Sequence, residues 1–141
     1  MPTINLNRWD ILNTVCTNDL YNKSTGGYCA QGRVFASARL SMLNGYNLLR
    51  PYFDLGRVLC MDLGLKTDQD VNEFMAARSH EIQGKPGAWT MKFHYAATLN
   101  NRGEFEAAHQ LALEAAIESG LFKIIRRKIN VKATNKQLIK V

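Results

Sequence analysis

The glycine-rich stretch before residue 34 has the spacing of a phosphate-binding loop. Gly27 and Gly32 are separated by four residues and followed by Arg33 and Val34. A P-loop uses a lysine to reach the phosphates and a Ser or Thr hydroxyl to hold magnesium, and the sequence has neither at those positions. The pattern therefore argues against a nucleotide site and leaves a weaker prediction, in which Gly27, Gly32 and Arg33 hold an anion at the start of a helix.

Three histidines are the next groups that could bind a metal or transfer a proton. His80-Glu81 begins like a zinc-binding helix, but a glycine follows at position 84, where that motif needs its second histidine. His80, His94 and His109 have no mutual metal-ligand spacing, although antiparallel helices would allow His94 and His109 to meet. We therefore expect no metal and no cofactor.

The cysteines indicate a reducing compartment. Cys16, Cys29 and Cys60 are odd in number and contain no C-x-x-C pair, which argues against a disulfide framework. The first residues have no signal-peptide pattern, and no apolar run approaches the roughly 20 residues that cross a bilayer. We expect a soluble cytoplasmic protein that does not contact membranes.

Catalysis would require residues that lie far apart in the sequence. A Cys–His pair needs hydrogen-bond contact, which spacing cannot show. The candidate groups are Cys29, Arg33, His80 and His94. A small enzyme with an unfamiliar site stays an alternative, and it requires a pocket in which at least two of these groups converge.

Positive charge is concentrated at the C-terminal end. Residues 1–120 contain 11 Lys and Arg against 12 Asp and Glu, a net charge of −1, whereas the whole chain carries +6. Residues 121–141 contain no acid and these cations: Lys123, Arg126, Arg127, Lys128, Lys132, Lys136 and Lys140. Clustered cations attract phosphates or acidic protein surfaces. Phe122 is the only aromatic residue there, so contact would follow a nucleic-acid backbone without reading bases.

Hydrophobic periodicity and breakers predict the elements that carry these groups. Residues 3–7 alternate like a short strand, and Asn7 is expected to cap the first helix. Helices are predicted over about 8–22, 33–49, 51–63, 68–82, 88–101 and 104–119. Pro51 is expected to break or kink the chain, Gly64 to end a helix and Thr67 to cap the next. The inward residues of the second helix are predicted as Phe35, Ala38, Leu43, Tyr46 and Leu49.

The last 21 residues are harder to assign. Residues 121–128 fit either a helix or a strand, and residues 129–133 alternate like a strand. Thr134-Asn135 is a turn signal, so we favour a C-terminal hairpin, with the N-terminal strand as an available partner. The predicted fold is a single mainly α domain of five or six helices with a small terminal β element.

Residues 89–122 carry small and large apolar residues at the spacing of a tight helical hairpin. The positions are Ala96, Leu99, Gly103, Phe105, Ala108 and Ala115. This pattern resembles a single tetratricopeptide-type repeat, with Lys92, Ala112 and Gly120 departing from it. No second copy is found, and about three units are needed to build the concave surface of that family, so general packing of two helices is the alternative.

Two binding functions follow from these patterns. The leading hypothesis is a non-enzymatic protein that engages an acidic partner, nucleic acid first, through the cations of residues 121–141. The resemblance implies a second, protein-binding role, in which an interaction or inhibitor module uses the hairpin around Trp89, Phe93 and Phe105. That version requires an exposed apolar patch beside these rings.

Overall fold

The computed structural model describes residues 1–15, 19–77 and 87–127. In chain order its elements are β1 (Thr3–Asn5), α1 (Leu6–Ile11), α2 (Ala30–Ser37), α3 (Met42–Asp62), α4 (Asp68–Ala77), α5 (Gly87–Asn101), α6 (Phe105–Ser119) and β2 (Lys123–Ile125). The two strands form one parallel sheet. This mainly helical domain with a small terminal β element confirms the predicted fold class. None of the described helices combines the length and apolarity needed to cross a membrane.

The hairpin of α5 and α6 forms the centre of the fold. Gly103 turns the chain between the two helices with a φ of 81°, a left-handed conformation that favours glycine. The face of α6 toward the core is lined by fully buried alanines, which allow helices to approach closely: Ala108, Ala112, Ala115 and Ala116. α5 is buried on most sides because α3 packs against it as well.

Two further contacts complete the helical core. α3 crosses α5 at Gly56, where an added Cβ would lie 2.1 Å from the carbonyl oxygen of Thr90. α2 packs against α6, and Val34 and Phe35 of α2 are fully buried. These contacts fix α2, with Arg33 on it, relative to the start of α6.

The sheet joins the two ends of the described chain. Ile4 of β1 stands opposite Ile124 of β2 and is fully buried, and the Lys123 amide donates to the Pro2 carbonyl at 2.8 Å. Phe122, just before β2, is also buried. The N-terminal strand therefore pairs with residues 123–125, in parallel, and residues 121–127 contain a strand and no helix. The predicted hairpin over residues 129–141 lies outside the described residues.

The first helix differs from the prediction. It begins at Leu6, because the Asn5 side chain accepts the Asn7 amide and so caps the helix two residues earlier than expected. It ends at Ile11, so the prediction of a helix over 8–22 is wrong for the described residues 12–15 and 19–22. Asn13 promotes the ending, since its side chain accepts the Val15 amide and competes with helical bonding.

The second predicted helix is two helices. The chain breaks after α2, where Arg39 has a φ of 56°, and α3 restarts with Ser41 as its cap. This break changes the helical phase, so Leu43 and Tyr46 are exposed, contrary to the prediction that they face inward. Pro51 lies inside α3 and neither ends nor starts a helix; it sits on the solvent-exposed face, where the missing amide donor costs least.

The start of α4 follows its prediction. Thr67 Oγ1 accepts the Asp70 amide at 3.1 Å, and Asp70 Oδ2 accepts the Thr67 amide at 3.1 Å, a reciprocal cap. Backbone amides, that of Lys66 first, also lower the pKa of the Asp70 carboxyl group. The predicted continuation to residue 82 lies outside the described residues.

Candidate functional site

A groove of about 1160 Å³ opens between α1, the start of α2 and the turn from α5 to α6. The residues on its walls that carry charge or hydrogen-bonding chemistry are Trp9, Asp10, Arg33, Glu104, Glu106 and His109. They come from three separate parts of the chain, and the contacts of α2 with α1 and α6 hold them in place. Its size is that of a small-molecule or short-peptide site.

Arg33 is anchored at one end of this groove. Its Nε and Nη2 both donate to the Trp9 carbonyl oxygen, at 3.0 and 2.8 Å, and its guanidinium lies 3.9 Å from the centroid of the Trp9 ring. These bonds add to the one that the same carbonyl accepts from the Leu12 amide, at 3.4 Å, where α1 ends. Burial lowers the pKa of Arg33 and the nearby Asp10 carboxylate raises it, but the guanidinium stays charged.

His109 lies under the groove with no hydrogen bond. Its side chain is only 2% exposed, and neither Nδ1 nor Nε2 has a partner among the described residues. The Trp9 ring stands next to it, with the ring centroids 6.3 Å apart. Burial, and then the positive charge of Arg33, lower the pKa of His109 to about 4. At pH 7 its ring is therefore neutral, with one nitrogen as a donor and the other as an acceptor.

The rim of the groove is acidic. Asp10, Glu104 and Glu106 are all exposed there. Asp10 Oδ2 accepts from Arg126 Nη1 at 2.8 Å, and Glu104 lies 3.4 Å from Arg102. Glu106 stands in the first turn of α6, where a negative charge stabilises the helix dipole. Two of the three rim carboxylates are therefore already paired with arginines.

The two glycines of the predicted anion loop stand where backbone passes close to backbone. A Cβ on Gly27 would lie 1.9 Å from the Val15 carbonyl oxygen, and one on Gly32 would lie 1.8 Å from that of Leu20. No side chain fits at either distance, so packing accounts for both glycines.

The hydrogen bonds of this loop are internal as well. The Gly27 amide donates to Thr25 Oγ1 at 3.2 Å and the Gly32 amide to Cys29 Sγ at 3.4 Å. Arg33 is turned to Trp9. The structure therefore corrects the predicted grouping of Gly27, Gly32 and Arg33 around an anion, because all three groups already have partners within the protein.

The described part of the basic segment lies on and just beyond β2. Lys123 and Arg127 are exposed, and Arg126 forms the ion pair with Asp10. The Arg127 carbonyl oxygen accepts from Asn7 Nδ2 at 3.2 Å, so the segment is held beside α1. The other cations of this prediction, Lys128, Lys132, Lys136 and Lys140, lie outside the described residues.

The aromatic residues proposed for protein binding are mostly in the core. Phe93 is fully buried and Trp89 is 9% exposed, and their ring centroids lie 6.0 Å apart. Phe105 is half-buried and lies on the groove wall. The protein-binding hypothesis needs Trp89 and Phe93 beside an exposed apolar patch. The structure instead places both rings in the core, because α5 packs against both α6 and α3. Lys92 pairs across the hairpin with Glu118.

The remaining candidates do not converge. His94 is half-buried, and burial together with Arg57 lowers its pKa, whereas His109 faces Trp9 and Arg33, so the two histidines do not meet. Cys29 and Cys60 are buried cysteines. Within the described ranges no group of three potential metal ligands comes together. His80 and Cys16 lie outside those ranges.

Sequence reasoning missed the site roles of Asp10 and Trp9. No local signal could have shown them, because the groove depends on contacts between residues 24 or more positions apart. Comparison with known proteins adds no family: no family model, no curated protein and no solved structure matches this chain.

Proposed function

We propose that this protein binds a polyanion, nucleic acid first, through the cations of residues 121–141. The observation that carries the proposal is the charge distribution. The segment contains Lys123, Arg126, Arg127, Lys128, Lys132, Lys136 and Lys140 and no acid, whereas the rest of the chain has a net charge of −1. Such a segment attracts phosphates, while the body contributes little to the attraction or the repulsion.

The described contacts support this proposal in two ways. The pairing of β2 with β1 anchors the segment to the body, and Lys123 and Arg127 are exposed beside that anchor. The Arg126–Asp10 pair is about half exposed on both sides, at 55% and 51%. A pair this exposed contributes about 0–1 kcal/mol, so a phosphate can replace Asp10 at little cost.

The same residues indicate how the polyanion is recognised. Phe122, the only aromatic residue of the segment, is buried and cannot stack on a base. Binding therefore follows the phosphate backbone with little sequence preference and weakens steeply with salt. The proposal includes a reducing cytoplasmic location, which agrees with the burial of Cys29 and Cys60 as cysteines.

The test is the salt dependence of binding to a short fluorescent DNA duplex. The slope of log K against log salt changes by about 0.9 for each phosphate contact, so Lys123→Gln/Arg127→Gln should make the slope shallower by about 1.8. The matched control, Lys23→Gln/Lys66→Gln, removes the same charge from exposed positions of the body and should leave the slope unchanged. Binding that ignores salt, or an equal loss in both variants, would overturn the proposal.

A further inference from the structure

We infer that the groove between α1, α2 and the α5–α6 turn is a second binding site, which takes an organic cation bearing a guanidinium group. Three independent features of the described residues support this site: the charge of the rim, the unpaired ring of His109 and the contact of Arg126. The site is separate from the proposed function, because its ligand is a cation and the residues of its walls belong to the body, with Arg126 of the basic segment contacting it at Asp10.

The rim offers carboxylates to a cation. Asp10, Glu104 and Glu106 are all exposed at the groove. Asp10 is paired with Arg126 and Glu104 with Arg102, whereas Glu106 has no ion pair among the described residues. Arg33 is the cation that the described residues place on the groove wall, and its guanidinium is already bonded to the Trp9 carbonyl and stacked on the Trp9 ring. A cation can therefore bond to Glu106, or replace Arg126 at Asp10, through charge-assisted N–H groups.

His109 supplies the independent evidence for a ligand. A buried imidazole usually bonds through at least one nitrogen, but both nitrogens of His109 lack a partner among the described residues. His109 is 98% buried and lines the groove, so a ligand seated in the groove approaches the ring from that side. A neutral imidazole offers one acceptor nitrogen and one donor nitrogen. A guanidinium with several N–H groups can satisfy the acceptor and still reach a carboxylate of the rim.

The protein's own Arg126 shows that the rim accepts this group. Its Nη1 lies 2.8 Å from Asp10 Oδ2, a normal charge-assisted hydrogen bond. Because the pair is half exposed and weak, an incoming guanidinium can compete with Arg126 for Asp10. Removing the Arg126 charge should therefore strengthen binding, an effect that a site unrelated to Asp10 would not have.

A guanidinium reaches such a groove either as a free small molecule or as an arginine side chain of a peptide. Agmatine represents the first source and the capped peptide Gly-Arg-Gly the second, with Gly-citrulline-Gly as its neutral isostere. Tighter binding of agmatine assigns the site to a small guanidine compound, and tighter binding of the arginine peptide assigns it to a protein segment. The citrulline peptide should not bind, since it has no charge.

The experiment is calorimetric titration of the full chain at low salt, with the ¹⁵N resonances of the His109 ring recorded at each step. Asp10→Asn and Glu106→Gln should each weaken binding about three- to tenfold, and Arg126→Gln should tighten it about two- to fivefold. Glu73→Gln, which removes an exposed carboxylate from α4, is the matched control and should change nothing. His109→Leu should weaken binding about tenfold or more.

The proposal is overturned if neither probe binds the Arg126→Gln protein at millimolar concentration. It is also overturned if binding is equal in Asp10→Asn, Glu106→Gln and Glu73→Gln, or if the His109 ring resonances do not move. Because Asp10 and Glu106 are exposed, their substitutions leave the core intact, and the test does not depend on the folding of the His109 variant.

Discussion

Replacing His109 should make the protein more stable and remove much of its sensitivity to acid. The ring is 2% exposed and both nitrogens lack a hydrogen-bond partner among the described residues. A buried polar group without a partner costs about 1–3 kcal/mol, so His109→Leu, of similar volume, should raise the free energy of unfolding at pH 7 by roughly that amount. Functional sites often keep groups that lower stability, and an unpaired buried imidazole is such a group.

The effect of pH has a definite sign. Burial and Arg33 lower the pKa of His109 from 6.5 to about 4 in the folded protein, while the unfolded chain keeps the higher value. Between these values the unfolded chain binds a proton that the folded protein does not, so stability falls as the pH decreases from 6.5 to about 4. The difference corresponds to roughly 3 kcal/mol at full effect. Arg33 of α2 is the charged group that lowers this pKa, and the carboxylates of Asp10, Glu104 and Glu106 line the same groove.

Urea unfolding between pH 7 and 4.5 measures this loss. Wild type should lose about 2–3 kcal/mol through His109 over that interval, and His109→Leu should lose that much less. His94→Gln is the control, because the pKa of His94 is also lowered. This variant keeps His109 and should therefore keep most of the acid sensitivity. If His109→Leu is destabilised at pH 7, or loses stability with pH as fast as wild type, the ring has partners that the described contacts do not contain.

Two further substitutions, Gly56→Ala and Arg33→Lys, test contacts between helices, and Gly64→Ala is the control for the first. Gly56→Ala places a methyl group 2.1 Å from the Thr90 carbonyl oxygen and should cost about 2 kcal/mol or more in urea unfolding. Gly64→Ala meets no atom within 4 Å and should cost only about 1 kcal/mol for its positive φ, so equal losses would contradict the close contact. Arg33→Lys cannot keep both hydrogen bonds to the Trp9 carbonyl and should cost about 1–3 kcal/mol; an unchanged unfolding midpoint would show that the bonds do not matter.

The parts of the fold that the sequence predicts well are those set by neighbouring residues. The hairpin was predicted over 88–101 and 104–119, and α5 and α6 agree with these bounds within one residue. The signals there are local, namely the glycine at 103 and small residues at helical spacing. Thr67 likewise caps α4 as predicted, through a hydrogen bond that spans three residues.

The parts that the sequence does not reveal depend on distant residues. Apolar spacing extended the first helix to residue 22, but the helix ends at Ile11, and Arg33 of α2 donates to its Trp9 carbonyl. The break at Arg39 then changed which residues of α3 face solvent, because a helix restarted after a bend has a new phase. The groove has the same origin, since Trp9, Arg33 and His109 meet only in the folded chain.

The most direct test of the proposed function is the protection of individual lysines by nucleic acid. Acetylation of the native protein with and without a short DNA duplex, read by mass spectrometry, reports each lysine separately. Protection is predicted at Lys123, Lys128, Lys132, Lys136 and Lys140, while Lys23 and Lys66 on the body react equally in both samples. Equal reactivity of the C-terminal lysines with and without DNA, or protection confined to the body, would contradict the account.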